Sequence, residues 1–150
     1  MIDQLRNKWA LGVILFSLFT MAVYLFMPMF RLAIFGVDTG AEYIKLIYKV
    51  KSFSDIFAFL LPFIGGLGAV ITVLMRGKGP HLLTISFSLL PIMFFVFFLY
   101  QINGYLAKQI MGLEVVGLTD VIGSGIWFGL ISSVLACVCS ILAVVSDRKK

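Results

Sequence analysis

The side chains in this 150-residue chain that could do chemistry are few and scattered. Cys137 and Cys139 are close enough in sequence to suggest a metal or redox pair. On a helix, however, residues two apart point about 200° apart. The pair is badly placed to share a metal or to bond each other, and small apolar packing is the expected role. There is no C-x-x-C for disulfide exchange, and no H-E-x-x-H, G-x-S-x-G or P-loop. His81 is the single histidine. It follows Pro80 in a turn with no acid or cysteine beside it, so it completes neither a metal site nor a catalytic dyad. Asp38 and Asp120 suit turn chemistry, in which the carboxylate bonds nearby backbone N–H groups; the alternative is a shared cation or partner site with Glu42, Asp55 and Glu114. No enzyme activity and no cofactor are expected from this set.

The elements that must position these groups are set by hydrophobicity. The chain is 61% hydrophobic and 13% charged, with a mean hydropathy of +1.10. A soluble domain of this size cannot hide that much apolar surface, because many of its residues must face water. Four runs contain no Asp, Glu, Lys or Arg: Trp9 to Phe30, Ile56 to Met75, Leu82 to Ile102 and Val121 to Ser146. Each is near the ~20 apolar residues that a helix needs to cross the hydrocarbon core. Backbone groups cannot stay unpaired in lipid, and the alternation of a barrel strand is absent, so the runs read as helices. The spacing predicts one polytopic membrane domain over residues 1–150, with spans at about 9–30, 54–75, 82–110 and 121–146. The spans carry no charge at their centres, which argues against a pump, a proton-coupled transporter or a membrane redox enzyme.

The first run follows "MIDQLRNK", a basic start like that of a signal peptide. It is long for an h-region and no A-x-A site follows, so an uncleaved anchor is expected. Basic residues near helix ends set orientation. The "RGKGPH" turn and the "DRKK" tail favour the cytoplasm, which puts both termini inside a cell membrane and two loops outside. The net charge of +5 then has a topological origin. Nucleic-acid binding would need a clustered basic face, and none is present.

The loops suggest a small extracytoplasmic cap. Residues 30–35 alternate as a short strand does. "LEVVGLTD", from Leu113, aligns with "LAIFGVDT", from Leu32, at eight positions with two identities. A second strand at 113–117 could pair with the first and satisfy its backbone groups. Thr39 and Glu42 have capping-box spacing, so an amphipathic helix is expected over about 40–51. Glu42, Lys45 and Lys49 share its narrow polar side, against a wide apolar arc suited to a membrane surface. A strand over Ile44, Leu46, Tyr48 and Val50 is the alternative, which Ile47 spoils. The cap residues are thus Asp38, Glu42, Lys45, Lys49, Glu114 and Asp120.

Small residues recur four apart in two spans: Gly65 with Ala69 and Gly68 with Thr72 in the second, then Gly125, Gly129 and Ser133 in the fourth, continued by Ala136 and Ser140. Such stripes let helix backbones approach closely in lipid. They serve either dimerisation or packing within the chain, where the two spans could pack on each other. The helix-packing residues are taken as Gly65, Gly68, Ala69, Gly125, Gly129 and Ser133. The third span is rich in Phe, and Pro91 can kink it, with Ser86 and Ser88 available to bond freed backbone groups.

This layout resembles the claudin and peripheral-myelin-protein type of four-helix membrane protein: two outer loops, the first larger, short outer strands, a long third helix and Gly-rich second and fourth helices. The resemblance covers the whole chain as architecture. The claudin loop signature of W, G-L-W and two cysteines is missing, since residues 31–55 hold neither Trp nor Cys, so a paracellular-barrier role does not follow. The stretch "GSGIWFGLISSVLACVCSIL" before a basic tail is also similar to small bacterial four-helix membrane proteins of unassigned function.

The expected function is a non-enzymatic interaction or structural subunit, acting through its cap and packing faces on another membrane protein or on itself. The alternatives are binding or conduction of lipid or another hydrophobic small molecule, and an oligomeric pore. Membrane lipids are partners in every case.

Overall fold

The computed structural model describes residues 8–28, 53–75, 82–109 and 122–148, with side chains for 8–28, 60–75, 82–100 and 122–146. Four helices make up its regular structure: α1 (Lys8–Phe26), α2 (Phe53–Met75), α3 (Leu82–Gln109) and α4 (Ser124–Arg148). The expected strands 30–35 and 113–117 and the amphipathic helix 40–51 lie outside the described residues. So do Asp38, Glu42, Lys45, Lys49, Glu114 and Asp120.

Three stretches are long and apolar enough to cross a membrane: Lys8–Phe26, Leu82–Tyr100 and Ser124–Ser146. In α2 the corresponding described stretch, Leu60–Met75, is shorter. Nineteen residues, the length of Lys8–Phe26 and of Leu82–Tyr100, rise about 28 Å as helix, close to the thickness of a bilayer's hydrocarbon core.

Two boundaries fall short of the charge-free runs. α1 ends at Phe26 rather than near residue 30. Its last helical bond runs from Met27 N–H to the Val23 carbonyl at 2.9 Å; Pro28 has no N–H with which to continue, and it disfavours helical geometry at Met27. α4 starts at Ser124 rather than 121. Gly125 N–H instead reaches across to the Pro28 carbonyl at 2.9 Å, which joins the end of α1 to the start of α4. Hydropathy does not register either stop, because both depend on hydrogen bonding and not on apolarity.

The helices form a ring. α1 packs on α2, α2 on α3, α3 on α4, and α4 closes on α1, where the contact is most extensive. Neighbours run antiparallel: Thr20 meets Ser132 while Gly12 meets Cys139, and Thr72 meets Thr84 while Gly65 meets Pro91. One end of the bundle, here the near end, therefore holds Lys8, Met75 and Leu82. The far end holds Phe26, Tyr100 and Ser124.

Burial repeats at alternating steps of three and four. In α1 the buried positions include Ala10, Val13, Ser17, Thr20 and Tyr24, with Val23 beside the last. In α4 they include Ile126, Gly129, Ser133, Ala136, Ser140 and Ala143. A 3.5-residue repeat keeps one face of a helix on its neighbours along a left-handed bundle. Two clusters form the core. Tyr24, Phe94, Phe95, Ile122 and Ile126 fill the far half, and Ala10, Val13, Ala69, Val73 and Cys139 fill the near half.

Candidate functional site

Hydroxyl-bearing residues sit among the apolar side chains of the interior, and the outside is made of large apolar ones. Ser17, Thr20, Thr84, Ser88, Ser132, Ser133 and Ser140 are all buried. Leu15 is 58% exposed, Met93 63%, Phe97 54% and Ile131 56%. Water would penalise such an outside, because burying apolar area is its main driving force. In lipid the outside gains nothing by being polar, and helix association relies on close packing and interhelical hydrogen bonds.

The hydroxyls use both means. Thr20 and Ser132 meet at 2.8 Å between α1 and α4. Each also points at its own helix, Thr20 to the Phe16 carbonyl at 2.8 Å and Ser132 to the Gly129 carbonyl at 3.1 Å. Ser88 and Ser140 repeat the arrangement between α3 and α4 at 2.9 Å, with the Thr84 and Ala136 carbonyls as the other acceptors. Each pair has two protons for three contacts, so the proton between the helices is shared with the helix backbones. The Thr84 hydroxyl donates to that of Thr72 at 3.0 Å, and Thr72 donates on to the Gly68 and Ala69 carbonyls.

The packing residues expected from the sequence are engaged within this chain. Gly68 lies under the ring of Phe87, so a β-carbon there would overlap it; Gly129 lies under Phe95 in the same way. A β-carbon on Gly65 would stand 2.5 Å from Pro91 Cδ, and one on Gly125 would stand 2.8 Å from the Pro28 carbonyl oxygen. Ala69 belongs to the near core cluster. Ser133 is buried and donates to the Leu130 carbonyl at 2.8 Å. The two small-residue helices do not form their principal contacts with each other. α2 and α4 stand diagonally, and each receives large side chains from α3. The reason is complementarity: α3 supplies Phe87, Pro91 and Phe95, and bulk fills the notches that small residues leave.

Pro91 produces another departure. It removes the donor of the Phe87 carbonyl. Ser86 and Ser88 do not replace it, since they bond the Leu82 and Thr84 carbonyls. The Phe87 oxygen instead lies 2.7 Å from where a Gly65 β-carbon would be.

Cys137 and Cys139 are buried free thiols. Cys139 sits in the near cluster, against Gly12. Among the described residues no group of three His, Cys, Asp or Glu could hold a metal ion. Aromatics mark both ends. At the near end Lys8 Nζ lies 5.2 Å from the centroid of the Trp9 ring. At the far end Tyr100 is 74% exposed, and Trp127, in the first turn of α4, is exposed too. Ile92, Met93, Val96, Phe97 and Tyr100 line an open apolar groove along α3.

Sequence reasoning missed Ser17, Thr20, Thr84 and Ser132 as core residues. A signal was present: Ser17 and Thr20 continue the steps of Ala10 and Val13. No family model matches this chain, and neither a curated protein nor a solved structure does.

Proposed function

We propose that this protein is an integral membrane subunit of the cell membrane that works by interaction rather than by catalysis. The observation that carries the reading is the pairing of buried hydroxyls that bond between helices with an outside that is apolar. The bundle spends its described hydroxyls on its own helix contacts and turns apolar faces outward, which suits a scaffold lying in lipid.

All four helices cross the bilayer in this reading, α2 included, as in the claudin-type layout. Lys8 and Trp9 then lie at the cytoplasmic interface, and Tyr100 and Trp127 at the outer one, as aromatic belts do. Both termini are cytoplasmic, and the loops at the far end form the cap. In the small-residue stripes, Gly65, Gly68 and Gly129 are occupied by α3 and Gly125 by Met27 and Pro28. Contacts with a partner, another membrane protein or a second copy, therefore fall to the outward faces and the cap.

Lipid or another hydrophobic small molecule is the second reading, favoured by the open groove along α3. A pore through one copy is not part of it, because Tyr24, Phe94, Phe95 and Ile126 fill the far half of the bundle.

Native mass spectrometry of the protein, gently extracted from its own membrane, tests the choice. A second membrane protein at fixed stoichiometry is the expected result. The chain alone, with one lipid class retained, would transfer the assignment to lipid binding.

A further inference from the structure

We infer that lipid acyl chains, and not a protein partner or a second copy, cover the described outward faces of all four helices. The inference rests on the membrane reading above and narrows it. A partner is then held at the ends of the bundle, by the segments that join the helices.

The outer belt has the dimensions of a bilayer. Exposed residues run from Leu82 to Tyr100 on α3 and from Trp127 to Val145 on α4, in each case about 27 Å of helix. The hydrocarbon core of a bilayer is about 30 Å thick. Lys8 and Trp9 mark one end of this height, and Tyr100 and Trp127 the other. The belt also closes around the ring. Leu18 on α1, Leu67 on α2, Met93 on α3 and Val134 on α4 are all exposed near mid-span. A protein partner would take one side of the bundle, whereas a bilayer meets all four helices at once.

The described outer faces also lack the means by which helices associate in lipid, which are small residues at regular spacing and interhelical hydrogen bonds. Gly12, Gly65, Gly66, Gly68, Gly125 and Gly129 each face other atoms of this chain. Among the exposed residues described within the four helices, Ala22 and Ser86 are the small ones. Neither begins a stripe. Leu18 and Phe26 stand four residues either side of Ala22, and Leu82 and Leu90 either side of Ser86. The Ser86 hydroxyl donates to its own helix, at the Leu82 carbonyl, at 3.1 Å. The open groove of α3 belongs to the same surface. Ile92, Val96 and Tyr100 form one row of side chains there, and Met93 and Phe97 the next. Such rows leave a furrow between them, into which a flexible hydrocarbon chain can settle.

Photocross-linking in the cells that make the protein reads what touches each face. Benzoyl-phenylalanine replaces Leu18, Leu67, Met93 or Val134, one per chain; all four positions are exposed, so the probe does not enter the core. The expected result on irradiation is a lipid adduct at every one of the four, with the chain keeping its single-copy mobility. A cross-link of fixed mass to another protein or to a second copy, at any of the four, overturns the inference. A face that yields no lipid adduct overturns it as well. The same probe at Lys49 and at Gly112 separates this inference from the subunit reading. Protein adducts there, with lipid alone at the four faces, support both. Lipid alone at all six positions leaves the acyl-chain assignment standing and removes the subunit reading.

Discussion

The ring of Phe95 on α3 covers Gly129 on α4 so closely that the α-carbon there has room for hydrogen alone. Phe95 is fully buried at this contact. It is also part of the aromatic cluster, with Phe94 beside it at 5.3 Å and 73°. The contact therefore serves two functions. It sets the approach of α3 to α4, and it holds in place the rings that fill the far half of the bundle.

Adding one methyl group at this contact should be costly. Gly129→Ala is expected to destabilise the fold by about 1–3 kcal/mol through overpacking, measured by unfolding from a lipid or mixed-micelle state. Phe95→Leu in the same chain should recover much of that loss. Gly12→Ala is the control, because its nearest neighbour is the Cys139 Sγ at 2.9 Å, the movable end of a small side chain. It should cost clearly less. Equal losses at the two glycines would refute the assignment of Gly129 as the seat of Phe95.

Thr20 and Ser132 should be coupled. Thr20→Val, Ser132→Ala and the double variant form a thermodynamic cycle. Because helices in a bilayer find other partners when unfolded, the coupling should be modest, about 0.6 kcal/mol. Additive losses in the cycle would show that the 2.8 Å contact contributes nothing to stability.

The proposed membrane frame predicts the depth of Trp127. The chain has two tryptophans, so Trp9→Phe leaves Trp127 as the single reporter. Its fluorescence should be quenched best by lipids brominated close to the headgroup, as expected of an interfacial aromatic. Maximal quenching by bromine at the acyl-chain ends would place α4 at the wrong depth.

Orientation is tested separately. A cysteine replacing Gly77 should resist a membrane-impermeant thiol reagent in intact cells, and one replacing Gly112 should react. The reverse pattern would invert the topology read from the basic turn and tail.

Much of the helical frame was legible in the sequence. The charge-free runs locate the helices to within a few residues, because a backbone in lipid must satisfy its own hydrogen bonds and a run without charge marks where it does so. The end of α1 at Phe26 and the start of α4 at Ser124 were not legible in hydropathy, although Pro28 is a stop signal in its own right. The stripe from Gly125 to Ser140 was visible as a packing face, but the face of α1 was not. Ser17 and Thr20 look unremarkable there until burial shows that they repeat the steps of Ala10 and Val13.

The sequence by itself determined the helical, apolar character of the chain and the absence of motif chemistry, since both are sums or patterns along the chain. Tertiary structure decided the pairings. Lipid tails are as apolar as leucine, so no strong segregation of polar and apolar residues tells a membrane helix which side to bury. Gly65, Gly68 and Gly129 could each have received a partner from any neighbouring helix or from a second copy. Only the closed ring of four helices puts Phe87, Pro91 and Phe95 of α3 into those positions, because large residues must fill the space that small ones leave before the hydroxyls can come within bonding distance.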